Sequence, residues 1–351
     1  MLNEFHHART ANRKSKSRLN SKPCYSSCVS DLLIGVLGAL LATNQPAAVS
    51  NLVTQTTGLT ISIPDANDPV EKEYHKITAD DDLAADDVDT WIRENNAFAE
   101  KGGGMSNEQL NTRIRARFAP VKKAYEDFLQ RHPDHARAHL AYGSFLEDTR
   151  DEKAAVAEYE KARELDPKNP AAWNQLANYY VHDGPVTKAF EYYAKAIELD
   201  PAESLYYRNL GNTVFLFRRD AEEFYHIDEQ AVFNKALDLL NHAFRLDPNN
   251  FELATDVAKT YYGIRPVRTD EALGAWTKAL KIAGSDVERE GIYIHLARFK
   301  LNADRFAEAH QHLDEVTNSI YLDLKNRLLR NLEERENKAA TNAVSAKAES
   351  K

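Results

Sequence analysis

Two rows of polar side chains stand at helical spacing in the middle of this chain. Asn174, Asn178 and His182 lie four residues apart, as do Arg208 and Asn212. Residues at i and i+4 share one side of a helix, so each row presents its polar groups together. A carboxamide donates and accepts hydrogen bonds at once, which suits the backbone of an extended peptide. The other candidate clusters are poorer. His132, His135 and His139 have no carboxylate or third nitrogen fixed beside them by pattern, so capping or solvated roles are expected. Asp80 to Asp89 gathers acids without the glycine and distal glutamate spacing of a calcium loop. His226, Asp228 and Glu229 are merely close in sequence. Cys24 and Cys28 have no second pair with which to build a metal site. No HExxH, GxSxG, GxxxxGK[ST] or GxGxxG string occurs. The expectation is a protein with no catalytic residues, no metal and no cofactor.

The elements that must position these rows are amphipathic helices. Over Pro170 to Glu203, Trp173, Leu176, Ala177 and Tyr180 recur at the spacing of one helix face, and Ala189, Tyr193, Ala196 and Ile197 form a second such face. Pro201 ends the pair. The preceding 34 residues align without a gap, with Tyr142, Gly143 and Leu146 and then Ala155, Tyr159 and Ala162 at equivalent positions. Further copies place Tyr207, Leu210, Gly211, Ala236 and Leu240, then Ala254, Val257, Ala258 and Trp276, then Tyr293, Leu296, Ala297, Ala309 and Leu313 in the same register. The aromatic residues of this register are core.

This pattern resembles the tetratricopeptide repeat. The resemblance implies an all-α, right-handed α-solenoid of about five to six helix-turn-helix units closed by a C-terminal capping helix. The expected divisions are a degenerate unit over 105–135, units over 136–169, 170–203, 204–250, 251–285 and 286–317, and a cap over 318–335. It further implies a non-enzymatic scaffold or adaptor for a protein or peptide partner. In that family the first helices line a concave groove. The implied groove residues are Asn174, Asn178, Arg208, Asn209, Asn212, Phe215, Lys259 and Tyr262, with Phe215 and Tyr262 as apolar anchors. Arg208 and Asn212 echo part of a carboxylate clamp known in some arrays, but Asp256 stands where that clamp needs an asparagine. The alternative is a structural subunit that docks through its ends or convex face into a larger complex. A 13-residue insertion, broadly Arg218 to Gln230, interrupts the 204–250 unit; there Phe224, Tyr225 and Ile227 need packing partners and Asp228 can cap a helix.

Charge narrows the partner class. The chain carries a net charge of −9, with +4 in residues 1–50 and therefore −13 in 51–351. An acidic body disfavours phosphate backbones, so no nucleic-acid partner is expected. Residues 1–50 read as a signal peptide for the general secretory route: a basic serine-rich stretch, the apolar core Leu32 to Ala42, then small residues with cleavage after Ser50. The core is too short to span a bilayer as a helix. The expected protein is exported, periplasmic or extracellular, with no membrane insertion after cleavage; the alternative is anchoring by an uncleaved signal. Residues 51–104 read as a linker with one helix over about 84–101, and 336–351 as a disordered tail.

Overall fold

The computed structural model describes residues 68–349; the signal-peptide reading lies outside them. Every regular element among the described residues is helical. They divide after Pro167 into two units.

The first unit holds α1 (Pro69–Ala99), α2 (Asn107–Arg131), α3 (Ala136–Asp148) and α4 (Glu152–Leu165). Helix α1 begins about 15 residues earlier than the sequence reading placed it, because Asp68 Oδ1 accepts from Val70 N at 2.8 Å and Pro69 occupies the first turn. Its buried side is Ile77, Asp81, Ala84, Val88, Ile92 and Asn95. The acids of 80–89 thus stand on a helix rather than in a calcium loop. Asp81 accepts from the buried hydroxyl of Tyr125 at 3.0 Å and Asp87 pairs with Arg117 at 2.7 Å. Asn95 closes the turn into α2, with Met105 N donating to its Oδ1 at 2.7 Å.

Residues 107–131 form one unbroken helix, not the helix pair expected of a degenerate unit over 105–135. Leu110, Ile114, Phe118, Val121, Tyr125 and Phe128 make a single continuous stripe, and the helix that packs against it is α1. Helices α3 and α4 then form the unit read over 136–169. Gly143 is required there: a Cβ at this position would stand 2.5 Å from the Tyr159 ring.

The second unit holds α5 (Pro170–Asp183), α6 (Val186–Leu199), α7 (Ser204–Leu216), α8 (Arg218–Tyr225), α9 (Glu229–Leu246), α10 (Phe251–Thr260), α11 (Thr269–Ile282), α12 (Asp286–Asn302), α13 (Phe306–Asp314) and α14 (Leu322–Glu349). Helix α5 packs on α6, α7 on α9, α10 on α11 and α12 on α13. Ala177, Ala189, Phe190, Tyr193, Leu210, Val214 and Ala236 form one shared core, and Phe233, Leu240, Ala254, Ala258, Trp276 and Leu296 the next. The insertion is helix α8. Its Phe224 and Tyr225 meet Phe190 with ring centroids 5.3 and 5.6 Å apart. His226 turns the chain in the left-handed conformation, and Asp228 then caps α9 on Ala231 N at 2.8 Å.

Leu328 and Leu332 of α14 close the last core with Ile294, Leu301 and Leu313. The helix runs on to Glu349, so residues 336–349 of the stretch read as a disordered tail are helical. Its alanines and lysines have high helix propensity without needing a packing partner.

Candidate functional site

The first helices of successive pairs in the second unit, α5, α7 and α10, lie beside one another. All eight groove candidates stand on them or on the turn after α10, because each pair repeats the same register and brings the same helix face round. Side-chain bonds cross both helix boundaries. Asn209 Nδ2 donates to Asn174 Oδ1 at 2.9 Å, joining α7 to α5. Arg208 Nε donates to Asp256 Oδ2 at 2.7 Å and its second nitrogen reaches Glu252 at 3.3 Å, joining α7 to α10.

These bonds occupy several groups that the sequence reading left open for a ligand. Asn174 is buried. Asn178 Oδ1 accepts from the Tyr193 hydroxyl at 2.6 Å, while its amide nitrogen donates to Gln175 at 3.0 Å. The guanidinium of Arg208 is held between two carboxylates, and Asp256, the residue that spoils the clamp pattern, is its main partner. A signal for the Asn178 bond was present in the repeat itself. The equivalent tyrosine one unit earlier, Tyr159, lies 3.4 Å from Ser144 across the same 15-residue spacing, although its shorter bond, 2.7 Å, goes to Glu147.

Two candidates keep polar capacity. Asn212 is half-buried and its side chain makes no hydrogen bond among the described residues. Lys259 is 57% exposed and sits 3.8 Å from Asp256. The two apolar anchors are partly spent on packing. Phe215 lies against Phe233 and over Gly263, where a Cβ would come within 2.4 Å of its ring. The ring of Tyr262 packs on Phe299 at 4.6 Å, and its hydroxyl shares a 2.8 Å hydrogen bond with His295 Nδ1. Burial pushes the Tyr262 phenol up to about 12. His295 stacks on Trp276 at 4.0 Å, and burial first, then Arg298 and Lys259, pull its imidazole down to about 4. It is therefore neutral near neutral pH. Sequence reasoning also passed over Leu216 at the end of α7, whose side chain is 65% exposed.

The histidine run of the first unit is structural. His135 Nδ1 caps α3 on Ala138 N at 3.0 Å. His139 is buried between Glu158, 2.5 Å from Nδ1, and the Pro133 carbonyl, 2.8 Å from Nε2, and is neither capping nor solvated. Among the described residues no group of three or more histidine, cysteine and acidic side chains is placed to hold a metal. No helix among them is long and apolar enough to cross a membrane.

The family model of the tetratricopeptide repeat matches residues 122–170 and 146–204, the stretch that includes α3 to α6. Residues 122–204 are therefore tetratricopeptide repeats. The mitochondrial import receptor subunit TOM70 of Mus musculus is 26% identical over 207 residues, as is that of Rattus norvegicus. The match takes in 52% of this chain and 30% of the mouse protein, so the chain spans about a third of the length of these relatives. Among solved structures, YrrB, described as a tetratricopeptide protein with an unusual peptide-binding site, is 17% identical, with 61% of this chain and 99% of that one covered and a TM-score of 0.46. The C-terminal part of a repeat protein from Cytophaga hutchinsonii is 14% identical, with coverages of 73% and 98% and a TM-score of 0.48. This tetratricopeptide fold is that of a protein–protein interaction scaffold.

Proposed function

We propose that this scaffold holds an extended peptide along the α5–α7–α10 strip. The observation that carries the reading is the pair of cross-helix bonds, Asn209 to Asn174 and Arg208 to Asp256, which fix three first helices in register with Asn212 and Lys259 still available. The charges of the strip balance: Arg208 and Lys259 face Asp256 and Glu252. A balanced strip does not select an acidic chain end. It favours neutral backbone amides, met by Asn212, with Lys259 taking an acceptor at one end. Asn178, Asn209 and Asn174 hold the strip in shape, while Phe215 and Tyr262 offer the edges of rings already packed below.

The test is affinity capture of the partner from native extracts with wild-type protein and with the double variant Asn212→Ala, Lys259→Ala. Losing a neutral and a charged hydrogen bond removes about 2–4 kcal/mol of binding, enough to empty the capture, while the melting point and helical circular dichroism stay unchanged. Retention of the partner by this variant, together with its loss when Arg218 to Gln230 is shortened, would transfer recognition to α8.

A further inference from the structure

The first unit contains an open cleft that the strip does not involve. Helix α2 has 25 residues and the antiparallel α3 only 13. At 1.5 Å per residue, α2 outruns α3 by about 18 Å. The end of α3 therefore meets α2 near Phe118, where the Phe118 and Phe145 rings stand 5.7 Å apart edge to face. Beside this step lies a cleft of about 760 Å³, floored by Ile114, Phe118 and Phe145 and rimmed by Arg115, Lys122 and Arg150.

The rim is basic in a body that is acidic overall. Two of its cations, Arg115 and Lys122, stand in the lining beside one carboxylate, Asp151. Arg115 is exposed and forms no ion pair among the described residues. Lys122 reaches Glu126 only at 4.0 Å, in a surface pair whose members are about half exposed. Arg150 is set on the rim by its backbone: at φ 67° it takes the left-handed turn that ends α3. Asn107 and Asn111 add two amides to the lining with no hydrogen bond of their own among the described residues. Charge complementarity picks the occupant. We propose that the cleft docks an acidic peptide segment, its central aromatic or aliphatic side chain resting on Ile114 and Phe118 and its flanking carboxylates on Arg115 and Lys122.

The experiment uses the full chain and two fluorescein-labelled octapeptides, one of alternating Asp and Glu around a Phe and a Leu, the other with every acid replaced by Lys. Fluorescence anisotropy should show binding of the acidic peptide alone. That binding should weaken as salt rises from about 0.05 to 0.5 M, because exposed charges are screened over shorter distances. Arg115→Glu with Lys122→Glu should weaken it by at least about tenfold. Both side chains are exposed, so circular dichroism should not change. Asn212→Ala with Lys259→Ala should leave this binding intact, which separates the cleft from the strip. Equal binding of the two peptides, full binding by the charge-reversed variant, or loss in the strip variant instead would each overturn the proposal.

Discussion

Two histidines, His139 buried and His295 half-buried, are poised in opposite senses, and each contributes to the pH response of its own unit. Burial alone would lower His139, but its bonds to Glu158 and the Pro133 carbonyl outweigh that and hold the imidazolium above its ordinary value of 6.5. The folded state therefore binds this proton more tightly than the unfolded chain does. The stabilisation is complete below about pH 6.5 and is lost as pH rises through the raised value. For His295 the folded value falls to about 4, so stability is full above about 6.5 and declines as pH falls toward 4. Thermal melts of His139→Gln and His295→Gln across this range should show it. The first substitution costs stability most on the acid side and the second removes part of the acid sensitivity. Parallel losses at every pH would rule out the assigned charge states. Neither role was legible in the sequence: it shows a histidine at a helical position, whereas the Glu158 carboxylate and the Trp276 face arrive through packing.

At the scale of the element, the repeat register was legible because it rests on size. Gly143, Ala177 and Gly211 occupy equivalent positions in successive first helices, where the second helix comes closest. At Gly143 the approaching group is the Tyr159 ring, at Gly211 the Leu240 side chain. Gly143→Ala should destabilise the first unit, since overpacking costs about 1–3 kcal/mol against a helix-propensity gain of about 1 kcal/mol. A denaturant midpoint at or above wild type would show that Tyr159 can move aside. The misread elements are those whose pattern lacks the small residues of the repeat. Helix α1 opens with Glu71, Lys72 and Glu73 around a cap at Asp68, so its charged first turns resemble a linker. Residues 107–131 carry one helix's stripe, which the repeat register alone assigns to half a unit. The strip was half legible: the spacing of Asn174, Asn178, Arg208 and Asn212 placed them on neighbouring first helices, but the internal partners Tyr193 and Asp256 come from other helices.

For the molecule as a whole, the opposed charge of residues 1–50 and 51–351 fits the proposal that the chain is exported and its basic leader removed. Sequencing the mature N-terminus should then begin near Asn51, and a full-length chain recovered from the cytosol would rule export out. Toward the other end of the chain, Glu290 of α12 accepts from Asn318 N at 2.6 Å, Thr317 N at 2.8 Å and the Thr317 hydroxyl at 3.1 Å, which holds its carboxyl below the usual range. Gly291 beside it leaves the room that Tyr321 fills. One carboxylate thereby collects the amides that open the capping segment. An array that grows by duplication can accept a new 34-residue copy between α6 and α7, where neighbouring units present matching faces. A copy inserted between α13 and Thr317 would carry those amides away and leave Glu290 buried without them. The latch makes the junction between α13 and Thr317 a poor place for a further copy.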